Sequence, residues 1–191
     1  MTISAVLLAG GKSRRMGQDK ATMLFRGAPL WQTQLELLRR LKLDNIFISA
    51  ASDSSWRPVD FDFVSDKQPS CGPLSGIAAA FRQLESDYLL TLAIDVPFMT
   101  DVYLRSLCAR IENGRGVVPM IENRAEPLVA IYPSDAEVEF TSVLSGNDFS
   151  LQPIVRKLIT LGKLQPIQVS TEERALFRNL NEPQDRDAGS S

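Results

Sequence analysis

The stretch Leu8-Ala9-Gly10-Gly11-Lys12-Ser13-Arg14-Arg15-Met16-Gly17-Gln18-Asp19-Lys20 gathers four cations, and its one acid, Asp19, sits beside Lys20. Glycine lets a backbone approach an anion with no β-carbon in the way, and successive amide N–H groups can form a concavity for phosphate. The chemistry such a loop could do is to hold a polyphosphate. Its cations could also simply face water, but that reading explains neither the glycine pair nor the apolar run 3–9 that precedes it.

Asp95 is the second such residue. It ends the apolar run Tyr88-Leu89-Leu90-Thr91-Leu92-Ala93-Ile94 and is followed by Val96-Pro97. A carboxylate at a strand's carboxyl end can hold Mg²⁺, which takes one or two protein carboxylates while bridging substrate phosphates. The plainer alternative is an aspartate that turns the chain.

The rest of the composition narrows the chemistry. No histidine occurs in the 191 residues, which excludes Ser-His triads, His-dependent cysteine proteases and His-ligated zinc. Twenty-one basic residues against 23 acidic ones, a net charge of −2, argue against a nucleic-acid partner held by bulk charge. Cys71 and Cys108 are too few for a disulfide framework and lack metal-cluster spacing, so a reducing, cytoplasmic setting is expected. The N-terminus lacks a signal-peptide pattern, and no run suits a membrane span. No sustained heptad is present, so a monomer is expected.

These residues need a scaffold, and the pattern supplies one. Apolar runs at 3–9, 45–51, 61–65, 88–94, 116–120, 127–132 and 164–169 read as strands. Helical patterns fall at 30–43, 72–84, 101–110, 134–145 and 151–161, with Thr100 and Ser150 as caps for two of them and a polar loop at 121–126. Alternating strands and helices predict an α/β fold with a mostly parallel sheet covered on both faces, and ligands beyond the carboxyl ends of the strands. One domain over 1–185 and a flexible tail at 186–191 are expected.

Two familiar phosphate loops are absent. The Walker pattern fails because five residues separate Gly11 from Gly17 and Gln18 follows, and the dinucleotide fingerprint fails because its first two glycines are adjacent. Instead, Leu8-Ala9-Gly10-Gly11-x-Ser13-x-Arg15-Met16-Gly17-x-Asp19-Lys20-Ala21 resembles the signature of the MobA-type molybdenum cofactor guanylyltransferases. The likeness continues at Gly27-Ala28-Pro29-Leu30-Trp31, Asp66, Gly72-Pro73-Leu74-Ser75-Gly76, Asp95-Val96-Pro97 and Phe177-Arg178-Asn179-Leu180-Asn181-Glu182-Pro183.

The resemblance implies a single Rossmann-like, three-layer nucleotidyltransferase domain that uses GTP and Mg²⁺ to place GMP on molybdopterin, with release of pyrophosphate. It implies nucleotide contacts from Leu8, Ala9, Gly10, Gly11, Ser13, Lys20, Ser49, Asp66 and Asp95, the last also the Mg²⁺ ligand. Lys20, Arg14 and Arg15 would stabilise phosphoryl charge, and Asn179 and Asn181 would hold the acceptor, although two asparagines can equally stabilise a turn. Partners implied are GTP, the pterin, and molybdoenzymes or upstream cofactor-synthesis proteins, with no nucleic acid and no membrane. Asp19-Lys20, where related cytidylyltransferases more often carry Pro-Lys, favours guanylyl over cytidylyl transfer. A carrier that binds nucleotide or pterin without catalysis, and a magnesium-independent sensor of a phosphorylated ligand, are the alternatives outside this enzyme class.

Overall fold

The computed structural model describes residues 1–10, 19–65 and 71–180. Its centre is β1 (Ile3–Leu8), where consecutive side chains enter different cores. Ala5, Leu7 and Ala9 pack on one side, and Val6 and Leu8 on the other. A strand apolar on both faces must be covered on both. The cover is α1 (Leu30–Leu41) and α3 (Asp101–Cys108) on the first face, and α2 (Pro73–Phe81), α4 (Glu137–Val143) and α5 (Leu151–Thr160) on the second. The result is the expected three-layer α/β domain.

The remaining strands are the short hairpin β2 (Leu24–Phe25) and β3 (Ala28–Pro29), then β4 (Asn45–Ala50), β5 (Asp62–Ser65) and β6 (Tyr88–Ala93). They are followed by β7 (Gly116–Ile121), β8 (Arg124–Ala125), β9 (Ile131–Pro133) and β10 (Leu164–Gln168). The main sheet runs β10-β7-β9-β6-β1-β4-β5, with β8 on β7. The β1–β4, β1–β6, β4–β5 and β7–β10 pairs are parallel, while β9 is antiparallel to both β6 and β7. Two reversals leave β7 pointing with β6, so the carboxyl ends of β1, β4, β5, β6, β7 and β10 share one edge of the sheet.

Several expectations needed correction. The strand read at 127–132 is confined to Ile131–Pro133. Pro127 lacks an N–H, and the amide of Val129 donates to the carbonyl of Glu126 at 3.1 Å, which closes a turn there. The loop at 121–126 is a tight hairpin, with Glu122 in the left-handed region at φ 55°. The helix at 134–145 begins as the 3-10 turn Ser134–Ala136. Thr100 caps α3 by accepting the amide of Tyr103 at 3.3 Å. Ser150, by contrast, makes no side-chain cap, and its own amide donates to Asp148 at 2.9 Å. The hairpin β2–β3 and the 3-10 turns Lys20–Thr22 and Glu173–Phe177 were not anticipated. Residues 186–191, expected as a tail, lie outside the described residues.

Candidate active site

The site is assembled at the shared carboxyl edge. Where β1 ends, Ala9 and Gly10 donate their amide N–H groups to one acceptor, the carbonyl of Ser49 at the end of β4, at 2.8 and 3.1 Å. This bifurcated contact fixes how the chain leaves the sheet. Leu8 and Ala9 are buried and Gly10 is exposed, so the surface opens at the glycine. The amide expected at Gly10 as a phosphate donor is engaged within the protein. Ser49 is 1% exposed, and its carbonyl, not an outward side chain, is its visible contribution to this edge.

Lys20 is the first residue of the 3-10 turn Lys20–Thr22. Asp19 caps that turn, its Oδ1 accepting the amide of Ala21 at 3.0 Å, and the Thr22 hydroxyl donates to the Asp19 carbonyl at 2.9 Å. From the turn, Lys20 Nζ reaches Asp95 Oδ2 at 2.8 Å, a contact between residues 75 apart in sequence. Both side chains are a little over one-fifth exposed, within reach of a ligand from solvent. The two residues on which the sequence reading turns therefore meet.

Asp95 is held from its backbone as well. The amide of Leu180 donates to the Asp95 carbonyl at 2.9 Å, which brings the end of the described chain, with Asn179 next to Leu180, onto this edge. Leu180 is 1% exposed, Phe177 packs edge-on against Tyr103 with ring centres 5.4 Å apart, and the Arg178 guanidinium lies over Phe98. Burial, with the nearby carboxylate of Glu173, pushes the Tyr103 phenol up to about 12, so it stays protonated in the neutral range. Gly11, Ser13, Arg14, Arg15, Asp66 and Asn181 lie outside the described residues, although Asp66 directly follows the last residue of β5 in sequence.

Two residues here were not singled out as site candidates from the sequence. Trp56, in the polar connection between β4 and β5, donates its indole N–H to Asp19 Oδ2 at 2.9 Å and stacks on Trp31. A tryptophan amid serines and aspartates was the one available hint. Glu126 lies in the turn whose neighbour Leu128 accepts the amide of Ala93 near the end of β6, and burial raises its carboxyl above the usual range.

A cavity of about 710 Å³ lies elsewhere, at the amino ends of the strands. It is lined by Asp44, Asp62 and Glu85 among polar neighbours, an acidic lining that repels a polyphosphate. Among the described residues no group of three or more Asp, Glu or Cys gathers to form a metal cluster. A lone Asp95 oxygen pair suits a hard cation that shares its coordination with substrate phosphates. Neither Cys71 nor Cys108 is in a disulfide, and no helix among the described residues is long and apolar enough to cross a membrane.

The architecture and the sequence agree with known proteins. The family model described as the MobA-like NTP transferase domain matches residues 5–162. A probable molybdenum cofactor guanylyltransferase from Opitutus terrae is 31% identical over 97% of this chain and 93% of its own. A molybdenum cofactor guanylyltransferase from Syntrophotalea carbinolica is 32% identical over 95% of this chain and 88% of its own. In structure, a molybdopterin-guanine dinucleotide biosynthesis protein A from Archaeoglobus fulgidus superposes with a TM-score of 0.75 at 22% identity, covering 95% of this chain and 94% of that one. With the signature at β1, the sheet order and the Lys20–Asp95 pair in place, the chain belongs to the MobA-like NTP transferase family and is a nucleotidyltransferase.

Proposed function

We propose that this nucleotidyltransferase moves GMP from GTP to the terminal phosphate of molybdopterin, forming a dinucleotide cofactor and releasing pyrophosphate. The observation that carries the reading is the 2.8 Å pairing of Lys20 with Asp95, just beyond the end of β6, which pairs with β1 where the exposed Gly10 follows. A cation for phosphate and a carboxylate for metal are thereby within reach of one polyphosphate. The relatives named molybdenum cofactor guanylyltransferase supply the choice of guanylate and pterin.

A phosphate dianion is already a competent nucleophile towards the α-phosphorus of a triphosphate, so no general base is required. That suits a chain without histidine. Lys20, joined by Arg14 and Arg15, would neutralise charge on the α-phosphoryl oxygens and on departing pyrophosphate. Asp95 would hold Mg²⁺, which would supply charge screening between two polyanions. The 2.8 Å contact between Lys20 Nζ and Asp95 Oδ2 places the phosphate-binding cation and the metal-binding carboxylate side by side. Gly11, Ser13 and Asp66 would line the nucleotide with Leu8, Ala9 and Gly10, while the Ser49 carbonyl holds the amides of Ala9 and Gly10. Asn179, on the segment pinned to Asp95, and Asn181 would receive the acceptor.

Incubation with each of the four ribonucleoside triphosphates, Mg²⁺ and molybdenum-loaded molybdopterin, followed by product identification, tests the reading. Consumption of GTP with pyrophosphate release is expected. Consumption of CTP in its place would move the protein to cytidylyl transfer, and binding without pyrophosphate release would make it a carrier.

A further inference from the structure

Asp19 stands where three segments cross. One carboxylate oxygen caps the turn that carries Lys20, through the amide of Ala21, and the other accepts the indole N–H of Trp56 at 2.9 Å. Trp56 comes from the connection between β4 and β5. Its ring lies against Trp31 on the first turn of α1, with ring centres 5.8 Å apart and planes inclined by 21°. The first residue of that helix, Leu30, donates its amide to the carbonyl of Met23, which closes the 3-10 turn, at 2.9 Å. The contacts form a ring: turn, hairpin, helix, loop, and back to the turn through Asp19.

Closing this ring matters because of what Lys20 is. A lysine is a point charge on a flexible four-carbon stem, so its aim depends on how firmly its backbone is held. A three-residue 3-10 turn has little internal hydrogen bonding to hold it. An N–H donated to a carboxylate is a charge-assisted bond, and an indole offers one from a rigid ring whose body can stack elsewhere. We propose that Trp56 is a positioning residue of the phosphate site, fastening Asp19 and thereby aiming Lys20 at the polyphosphate. The proposal rests on the reading of Lys20 as a phosphate-binding residue.

Trp56→Phe keeps an aromatic body against Trp31 and deletes the donor. Calorimetry with Mg²⁺ and inorganic tripolyphosphate is expected to show affinity about tenfold weaker than wild type, the scale of one weakened hydrogen bond to a charged group. In a Lys20→Ala background the same substitution should weaken binding no further, an outcome that a general loss of stability would not produce. Asp19→Asn provides an independent route, because it leaves the indole in place and should shift the Trp56 indole N–H resonance in an NMR spectrum. Wild-type affinity in Trp56→Phe, an undiminished loss when Lys20 is already alanine, or an indole resonance indifferent to Asp19→Asn would each overturn the proposal. So would tripolyphosphate binding that ignores Lys20. Transfer of a base other than guanine would instead overturn the guanylyl reading and leave the tripolyphosphate comparison standing.

Discussion

At the scale of single residues, Lys20 and Asp95 form an ion pair at 2.8 Å with both side chains partly exposed. Water reaches both, so the pair adds little to stability, on the order of 0–1 kcal/mol for such partly exposed ion pairs. Under the proposed function, the pair sets a cation for phosphate beside a carboxylate for magnesium. Lys20→Ala and Asp95→Ala are therefore expected to keep the fold, read as a thermal midpoint close to wild type. Each should lose about 10²-fold or more in pyrophosphate release, the usual effect of deleting one electrostatic contact to a transition state. Near-normal turnover in either variant removes that residue from the machinery. Glu126 behaves differently. Burial raises its carboxyl in the folded chain and outweighs the opposing pull of Arg124. A folded-state value above the unfolded one means that its favourable contribution is present below about pH 4 and is lost as pH rises through the folded value. Glu126→Gln should consequently melt higher than wild type at pH 7 and no higher near pH 4. Equal midpoints at pH 7 would show that water solvates the ionised carboxylate after all.

At the scale of elements, the sequence was most readable where a strand is buried on both faces, because β1 and β6 then need no alternation and announce themselves as apolar runs interrupted by a single small polar residue each, Ser4 and Thr91. Even Thr91 fits within β6, its hydroxyl bonding the carbonyls of Pro127 and Ala130 at 3.1 and 3.2 Å. The same rule misled at 127–132, where Leu128 and Val129 are apolar for tertiary reasons. That segment is a turn tied to β6 and to the Tyr132 hydroxyl, which donates to the carbonyl of Pro127 at 2.8 Å. Nothing local encodes such ties. In the site, Lys20 and Asp95 were legible from the loop and the strand end, whereas Trp56 was not, because its partner lies 37 residues away in chain order. Gly116 shows the other kind of constraint. A β-carbon there would lie 1.9 Å from the carbonyl oxygen of Ile131, so glycine is what lets β7 and β9 approach. Gly116→Ala should cost on the order of 2 kcal/mol or more, since neither backbone can retreat without breaking its ladder. Chemical denaturation would measure it, and a midpoint equal to wild type would mean that β9 shifts freely.

At the scale of the whole molecule, sheet order decides where chemistry can occur. Six strands ending at one edge bring together the exit of β1, the Asp95 turn after β6 and the C-terminal segment through Leu180. The opposite edge carries the acidic cavity and is unfit for nucleotide. Because ligand at the first edge would touch segments separated by much of the chain, binding there should stabilise the fold as a unit. A ligand at a hundred times its Kd adds about 2.7 kcal/mol to a folded state that alone can bind it. For a domain of this length that corresponds to roughly 5–10 °C in thermal midpoint. Mg²⁺ with GTP is expected to give a rise of this size at that ratio. ATP and CTP at the same concentration should give clearly less, since a site hydrogen-bonded to the guanine edge leaves polar groups unpaired with the wrong base. Asp95→Ala should remove most of the magnesium-dependent part of the rise, and Lys20→Ala most of the whole. Equal shifts with all three nucleotides would leave polyphosphate recognition in place and withdraw guanine from the assignment.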